Sequence, residues 1–174
     1  MSLKLHLDGA WVAVQTHIRS EKKAAEHLVL HGYECFLPLR QKNEYKTPQT
    51  QKNGEQRWMI PLFPGYLFCK YKVQQSFRIE YAPAVVRVLR YDDIPIVVPD
   101  SEIESLFKVV TFGYSVDACP FLQAGQKARV KHGPLRGVEG YLVSVNTKTC
   151  KIAFRMSAVE KFVVVSVSNV ELAI

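Results

Sequence analysis

Cysteine is sparse in this chain and never paired in sequence. Cys35, Cys69, Cys119 and Cys150 stand far apart with no Cys-x-x-Cys step. That spacing sets aside a zinc ribbon and a dense disulfide framework and leaves buried structural thiols as the favoured reading. The five histidines show no ligand pairing with them, so neither a metal nor a cofactor is expected. No apolar run is long enough to cross a bilayer, and no basic stretch followed by an apolar one opens the chain, so a cytoplasmic protein without membrane contact is expected. Ser, His, Asp and Cys all occur, but not as a nucleophile elbow, a phosphate loop or a carboxylate pair in a glycine-rich cleft. Binding, not catalysis, is the expected mode of action.

Acidic residues are the minority among the charges, 16 Asp or Glu against 23 Lys or Arg, for a net +7. The imbalance is uneven. Through Ala118 there are 15 basic and 13 acidic residues, and beyond it 8 against 3. A length of 174 residues with 48% hydrophobic content allows one ordinary domain or two small ones with real cores, and the basic excess of the C-terminal part suggests two, with separate partners.

In chain order, Trp11–Thr16 is β-rich and predicts a first strand. Ser20 is placed to cap a helix that turns Ala24, Ala25 and Leu28 inward and ends at Gly32. Lys23, His27 and His31 follow one another at four-residue steps on the opposite face, a spacing that by itself reads as an ordinary solvated helix surface. A second strand is expected over 33–39. The polar stretch 40–57, with Asn53-Gly54 and with Lys42, Lys46, Lys52 and Arg57, reads as a basic hairpin or loop, either a DNA contact or a soluble ribbon.

Pro61-Leu62-Phe63-Pro64-Gly65-Tyr66-Leu67-Phe68-Cys69-Lys70-Tyr71 runs from a proline-bounded turn straight into an apolar strand. Alternation places Tyr66, Phe68 and Lys70 on one face and Leu67, Cys69 and Tyr71 on the other. One face is expected to build core and the other to stay partly exposed for docking. A short helix capped by Ser76 and closed before Pro83, strands over 84–91 and 94–98 around an Asp92-Asp93 turn, and a helix capped by Asp100 follow. The last helix carries Ile103, Leu106, Phe107 and Val110 inward. The order gives an α+β sandwich with a mainly antiparallel sheet.

The spelling Pro-Leu-Phe-Pro-Gly-Tyr-Leu-Phe, after a Trp-led strand and before a Gly-Pro-Leu-Arg-Gly turn, resembles the NusG family of transcription elongation factors, closest to its specialised RfaH-type members. Residues 125–140 resemble its KOW motif, on Gly125, Val130, Gly133, Pro134, Gly137 and Gly140. The resemblance implies a ferredoxin-like N-terminal domain over 1–112, a linker over 113–120, and a small five-stranded SH3-like KOW barrel over 121–174. It implies a monomer whose Phe63, Pro64, Gly65, Tyr66 and Phe68 grip the clamp helices of the largest RNA polymerase subunit. Gln75, Ser76 and Arg78 fall where RfaH-type proteins touch the polymerase gate loop, without their His-Thr-Thr-Thr spelling. Ala24-Ala25-Glu26-His27-Leu28 resembles the helix that those proteins turn toward the non-template DNA strand, which implies contacts from Lys23, His27 and His31.

In the general factor the barrel binds Rho or a small-subunit ribosomal protein through a tip that falls here at 156–161, without the Phe-Gly-Arg spelling. The expected function is antitermination: reduced pausing through clamp binding and non-template DNA contact. The alternatives are a general NusG promoting Rho-dependent termination and transcription-translation coupling, or a KOW-containing RNA- or ribosome-binding protein. The glycines of the KOW turn and the run Val163-Val164-Val165-Ser166-Val167 predict that 121–174 is β in the free protein. They are further expected to leave Tyr66 and Phe68 available.

Overall fold

A computed structural model describes residues 7–41, 59–114, 116–119, 125–145, 149–168 and 172–173. The Asn53-Gly54 turn and Lys42, Lys46, Lys52 and Arg57 lie outside the described residues. The elements run β1 (Trp11–Thr16), α1 (Glu21–Leu30), β2 (Cys35–Phe36), β3 (Leu39–Gln41), β4 (Met59–Pro61), β5 (Tyr66–Lys70), β6 (Val85–Val88), β7 (Arg90–Tyr91), β8 (Ile94–Pro95), β9 (Val97–Val98) and α2 (Asp100–Thr111). There follow β10 (Val116–Cys119), β11 (Lys127–Val130), β12 (Glu139–Val145), β13 (Thr149–Met156), β14 (Lys161–Ser168) and β15 (Leu172–Ala173). Single 3-10 turns lie at Ile79–Tyr81 and Ser157–Val159. The fold is mixed α/β, with antiparallel sheets and few helices.

The first sheet has the order β2-β5-β1-β6, with β9 also paired to β1. Its centre is β1 against β5, Trp11 facing Lys70 and Gln15 facing Tyr66. Val12, Val14, Leu67 and Cys69 pack with Ala24 and Leu28 of α1 on one side. Ala13 and Phe68 face the other side, where Ile103, Leu106 and Val109 of α2 lie. Both faces are therefore core, with no face of β5 left open to water.

Several local expectations need correcting. Pro38 divides the strand expected over 33–39 into β2 and β3, because it has no amide to donate, and its carbonyl instead accepts from Leu62. Ser20 precedes α1 without a side-chain cap, and the 3-10 turn at Ile79–Tyr81 follows Arg78, with no cap from Ser76. Asp100 is the first residue inside α2, and Pro99 is the N-cap, its carbonyl accepting from Glu102 and Ile103. Asp100 there complements the helix dipole. The buried stripe of α2 is Ile103, Leu106 and Val109, while Phe107 is exposed.

The second sheet has the order β10-β14-β13-β12-β11-β15, all antiparallel. It has six strands where five were expected. The additional one is β10, inside the segment read as connector, which pairs Val116–Cys119 with the edge of β14 and so satisfies backbone groups that a free valine-rich edge would leave open.

Candidate functional site

The aromatic turn before β5 is fixed from two directions. Gly65 has φ +81, a left-handed conformation that strains any residue with a Cβ. Its carbonyl accepts from Thr16 at 2.9 Å. Its amide donates to Oε1 of Glu21 at 2.7 Å. Glu21 opens α1 and is only 2% exposed, so a buried carboxylate ties the helix start to the turn through a charge-assisted hydrogen bond. Sequence reading missed Glu21. Its only signal is an acid directly after a capping serine, which normally marks a solvated first turn.

This anchoring aims Phe63 and Phe68 at each other, edge to face, with ring centres 6.0 Å apart. Phe36 of the neighbouring strand lies 6.4 Å from Phe68 and 5.8 Å from Phe107. Tyr66 is half-buried and Pro64 exposed. Phe63 and Phe68 are 0% exposed and belong to an apolar cluster that takes in residues of both sheets. Leu135, Val138, Met156, Ala158, Val159 and Val163 join the same apolar cluster as Ala13, Phe63 and Phe68.

Polar contacts border the cover. The Ser157 amide donates to Oε2 of Glu102 at 2.9 Å, Nζ of Lys108 donates to the Arg136 carbonyl at 3.4 Å, and the Lys161 ammonium lies 5.1 Å from the centre of the Tyr66 ring. Partial burial there holds the Lys161 ammonium below the usual lysine range. The expectation that a β-folded C-terminal part leaves this face available is thus overturned. A glycine- and valine-rich segment does fold as β, but its apolar tip is as good a cover as a helix, since burial follows area and not backbone type.

The α1 stripe is less solvated than its spacing suggests. Lys23 is exposed, but His27 and His31 are half-buried and stacked, their rings 4.5 Å apart. His31 in turn stacks on Phe77 at 3.8 Å, and Tyr81 meets Phe77 edge-on at 6.2 Å. The result is a continuous ring ledge of His27, His31, Phe77 and Tyr81. The sequence reading named the histidines and placed Phe77 only in the gate-loop stretch 75–78, without joining it to them.

Three hydrogen bonds hold the ledge. Gln75 Nε2 donates to the His31 carbonyl at 2.6 Å, Lys72 Nζ donates to the Gly32 carbonyl, and the Tyr33 hydroxyl donates to the Phe77 carbonyl at 2.6 Å. Burial pushes the Tyr33 hydroxyl up to about 12, so it stays a donor at neutral pH. Gln75 is therefore engaged with α1, while Ser76 and Arg78 are exposed. Nδ1 of His27 is buried with no hydrogen-bond partner. Beside the ledge lies a cleft of about 620 Å³ lined by Tyr33, Tyr71, Lys72, Arg78, Tyr81 and Arg90 among others.

In the second sheet, Val130 is buried, its carbonyl accepting from Gly137 and its amide donating to Val138. Gly133 and Gly137 flank an exposed Pro134 in the turn, and Gly125 is exposed. Gly140 sits where a Cβ would come within 2.5 Å of the Ala153 carbonyl oxygen, the close backbone approach expected of the motif. Among the described residues no helix is long and apolar enough to cross a membrane.

The arrangement defines a class: an antiparallel α/β unit with an aromatic turn on one face, followed by a small antiparallel β unit. A solved structure of Thermotoga maritima NusG, described as showing domain interaction, has the same fold, with a TM-score of 0.57 at 17% identity over 94% of this chain and 95% of that one. The MjSpt4:Spt5 complex in its conformation A aligns over 94% of this chain and 96% of that one, with a TM-score of 0.32 at 12% identity. No curated protein matches in sequence. The family model described as transcription termination factor nusG matches residues 9–107. The chain belongs to the NusG family of transcription factors.

Proposed function

We propose that this protein is an elongation and antitermination factor that binds the clamp helices of RNA polymerase through the face of Phe63, Pro64, Gly65, Tyr66 and Phe68, lowers pausing, and touches the non-template DNA strand. In this reading 1–112 is a ferredoxin-like polymerase-binding domain and 121–174 an SH3-like KOW domain. The observation that carries it is the aromatic face anchored by Glu21 at Gly65, which the resemblance assigns to clamp docking. Leu135, Met156 and Val159 occupy the surface that polymerase would take, so docking requires the second sheet to leave. The protein then reaches polymerase only as often as the two parts separate, and polymerase favours the open form by its differential affinity for it.

The ring ledge serves the DNA contact. Its exposed Tyr81 and stacked histidines offer planes to an unstacked base, and exposed Lys23 and Arg78 offer charge to phosphate. Engagement of Gln75 with α1 leaves Ser76 and Arg78 for a gate-loop contact. Once the cover lifts, the tip at 156–161 is free for a ribosomal protein or Rho.

The test is a reconstituted elongation complex with a defined pause. The full chain is expected to bind polymerase, shorten the pause and crosslink to the displaced strand, and Tyr66→Ala is expected to lose binding while staying folded. A chain that leaves pausing unchanged even with Glu102→Ala, which weakens the cover, would refute the antitermination role. Stimulation of Rho-dependent release instead would assign the general factor's function.

A further inference from the structure

Two of the four cysteines meet. Cys35 of β2 stands opposite Cys69 of β5 in the antiparallel register, and their sulfurs are 3.5 Å apart, within thiol hydrogen-bond range. The amide of Lys70 donates to the carbonyl of Glu34 at 2.9 Å, which makes Glu34 and Lys70 a hydrogen-bonded pair. Hydrogen-bonded and non-hydrogen-bonded pairs alternate along an antiparallel ladder, so Cys35 and Cys69 form a non-hydrogen-bonded pair, with a typical Cα separation of about 4.5 Å and side chains at their closest. That separation falls inside the range a disulfide accepts, about 4.4–6.8 Å.

Access is asymmetric in a useful way. Cys69 is fully buried, whereas Cys35 lies half-buried on a two-residue strand at the edge of the sheet. The Cys69 thiol beside it draws Cys35 below the ordinary thiol range, outweighing partial burial and the nearby Glu34 carboxylate. The same pairing, with burial, drives Cys69 upward. One thiol is thus partly open to solvent, and the other is buried with its sulfur 3.5 Å away.

We propose that Cys35 and Cys69 are a reversible redox-modification site, in which hydrogen peroxide converts the facing thiols into a cross-strand disulfide. The Cys35 thiolate attacks one peroxide oxygen, the O–O bond breaks, and Cys35 becomes a sulfenic acid while the departing hydroxide takes a proton and leaves as water. The Cys69 sulfur then attacks the Cys35 sulfur, an S–S bond forms, and the S–O bond breaks. The second hydroxide leaves as water with the proton of Cys69. Two thiols and one peroxide give one disulfide and two waters. A dithiol reverses it by two exchange steps, leaving as its own cyclic disulfide.

The bond would bolt the edge strand to the strand that carries Tyr66 and Phe68, next to the facing pair Phe36 and Phe68. The site stands whatever docks on that sheet.

The experiment treats the full reduced chain with a small excess of hydrogen peroxide, blocks remaining thiols, and maps peptides without reduction. The expected product is a Cys35–Cys69 linked peptide lighter by two hydrogens, restored to two free thiols by dithiothreitol. The thermal midpoint of the oxidised chain is expected to rise by roughly 5–10 °C. Cys35→Ser, at the half-buried edge position, is expected to fold normally and to lose both the linked peptide and the rise in midpoint. Free, alkylatable Cys35 and Cys69 after peroxide, Cys35 oxidised to sulfinic acid without linkage, or linkage to Cys119 or Cys150 instead would each overturn the proposal.

Discussion

The molecule carries two aromatic surfaces on one small sheet, and they are held in opposite ways. Phe63 and Phe68 lie sealed in the apolar cluster that spans both sheets, while His27, His31 and Phe77 stack along an open ledge that Tyr81 meets edge-on. Both are built from rings of similar size, so ring chemistry does not separate them. What separates them is how each ring's burial is shared. The sealed rings belong to an apolar cluster that joins both sheets, so they stabilise the fold and the closed arrangement together. The ledge rings come from α1 and its C-cap and from the 3-10 turn with the segment leading into it, with Phe77 packed only against the cluster on the α1 side, and they are tied through carbonyls of His31, Gly32 and Phe77. The first surface should need a conformational change before it can bind, and the second should not.

The largest expected effect breaks the sealed side. Phe68→Ala removes a ring that is 0% exposed and is expected to cost about 3–5 kcal/mol, enough to unfold much of the chain. Tyr66→Ala, on a half-buried ring, is expected to cost much less. Urea unfolding followed by circular dichroism measures both, and equal losses would mean that the two rings are not divided between core and rim as described.

Next comes the anchor beneath the same surface. Glu21→Ala strips the Gly65 amide of its buried carboxylate, and hydrogen bonds to charged groups are worth about 1.5–3 kcal/mol. Glu21→Gln retains an acceptor oxygen and is expected to lose less. Hydrogen exchange at Gly65 is the sensitive readout. It should quicken in Glu21→Ala beyond any change in global stability, and unchanged local protection would show that Glu21 does not hold the turn.

How much of this was legible in the sequence follows the same division. Period-two alternation located β5 and its two faces, Gly65 and Gly32 stand at the left-handed positions expected of them, and Asp92 and Asp93 both adopt positive φ in the turn between β7 and β8. These are local matters of backbone sterics, and local sequence determines them. Glu21 was illegible because its partner is 44 positions away. Phe77 was illegible because no periodicity links it to His31. The cover was illegible for a physical reason: an apolar strand tip reads the same whether it closes its own core or another's. The residue roles proposed toward polymerase and DNA rest on family resemblance, since no pattern of spacing specifies a partner.

On the open ledge, the expected effect is smaller and falls on binding instead of folding. Phe77→Ala removes the plane beneath His31, and stacking of a base on such a platform is worth about 1–3 kcal/mol. Affinity for a single-stranded oligonucleotide, measured by fluorescence anisotropy at fixed salt, is expected to fall about fivefold or more, with the urea midpoint changed little. Lys23→Ala should instead act mainly through phosphate and reduce the salt dependence. If Phe77→Ala leaves affinity intact while lowering stability, the ledge is packing and not a nucleic-acid platform.

The smallest effect tests whether the two surfaces are coupled. Glu102 of α2 accepts from the Ser157 amide of the 3-10 turn between β13 and β14, so Glu102→Ala should weaken closure by about 1 kcal/mol, roughly a fivefold shift toward the open form. Glu104, exposed on the same helix, supplies the control, because Glu104→Ala also removes a carboxylate from α2 without touching the cover. Opening exposes Phe63, Phe68 and Tyr66 but leaves His27, His31 and Phe77 as they were. Polymerase affinity is therefore expected to rise up to about fivefold in Glu102→Ala and not in Glu104→Ala, while oligonucleotide affinity stays constant in both. A matching rise in oligonucleotide affinity would mean that the cover also shields the ledge, and the contrast between a gated surface and an open one would fail.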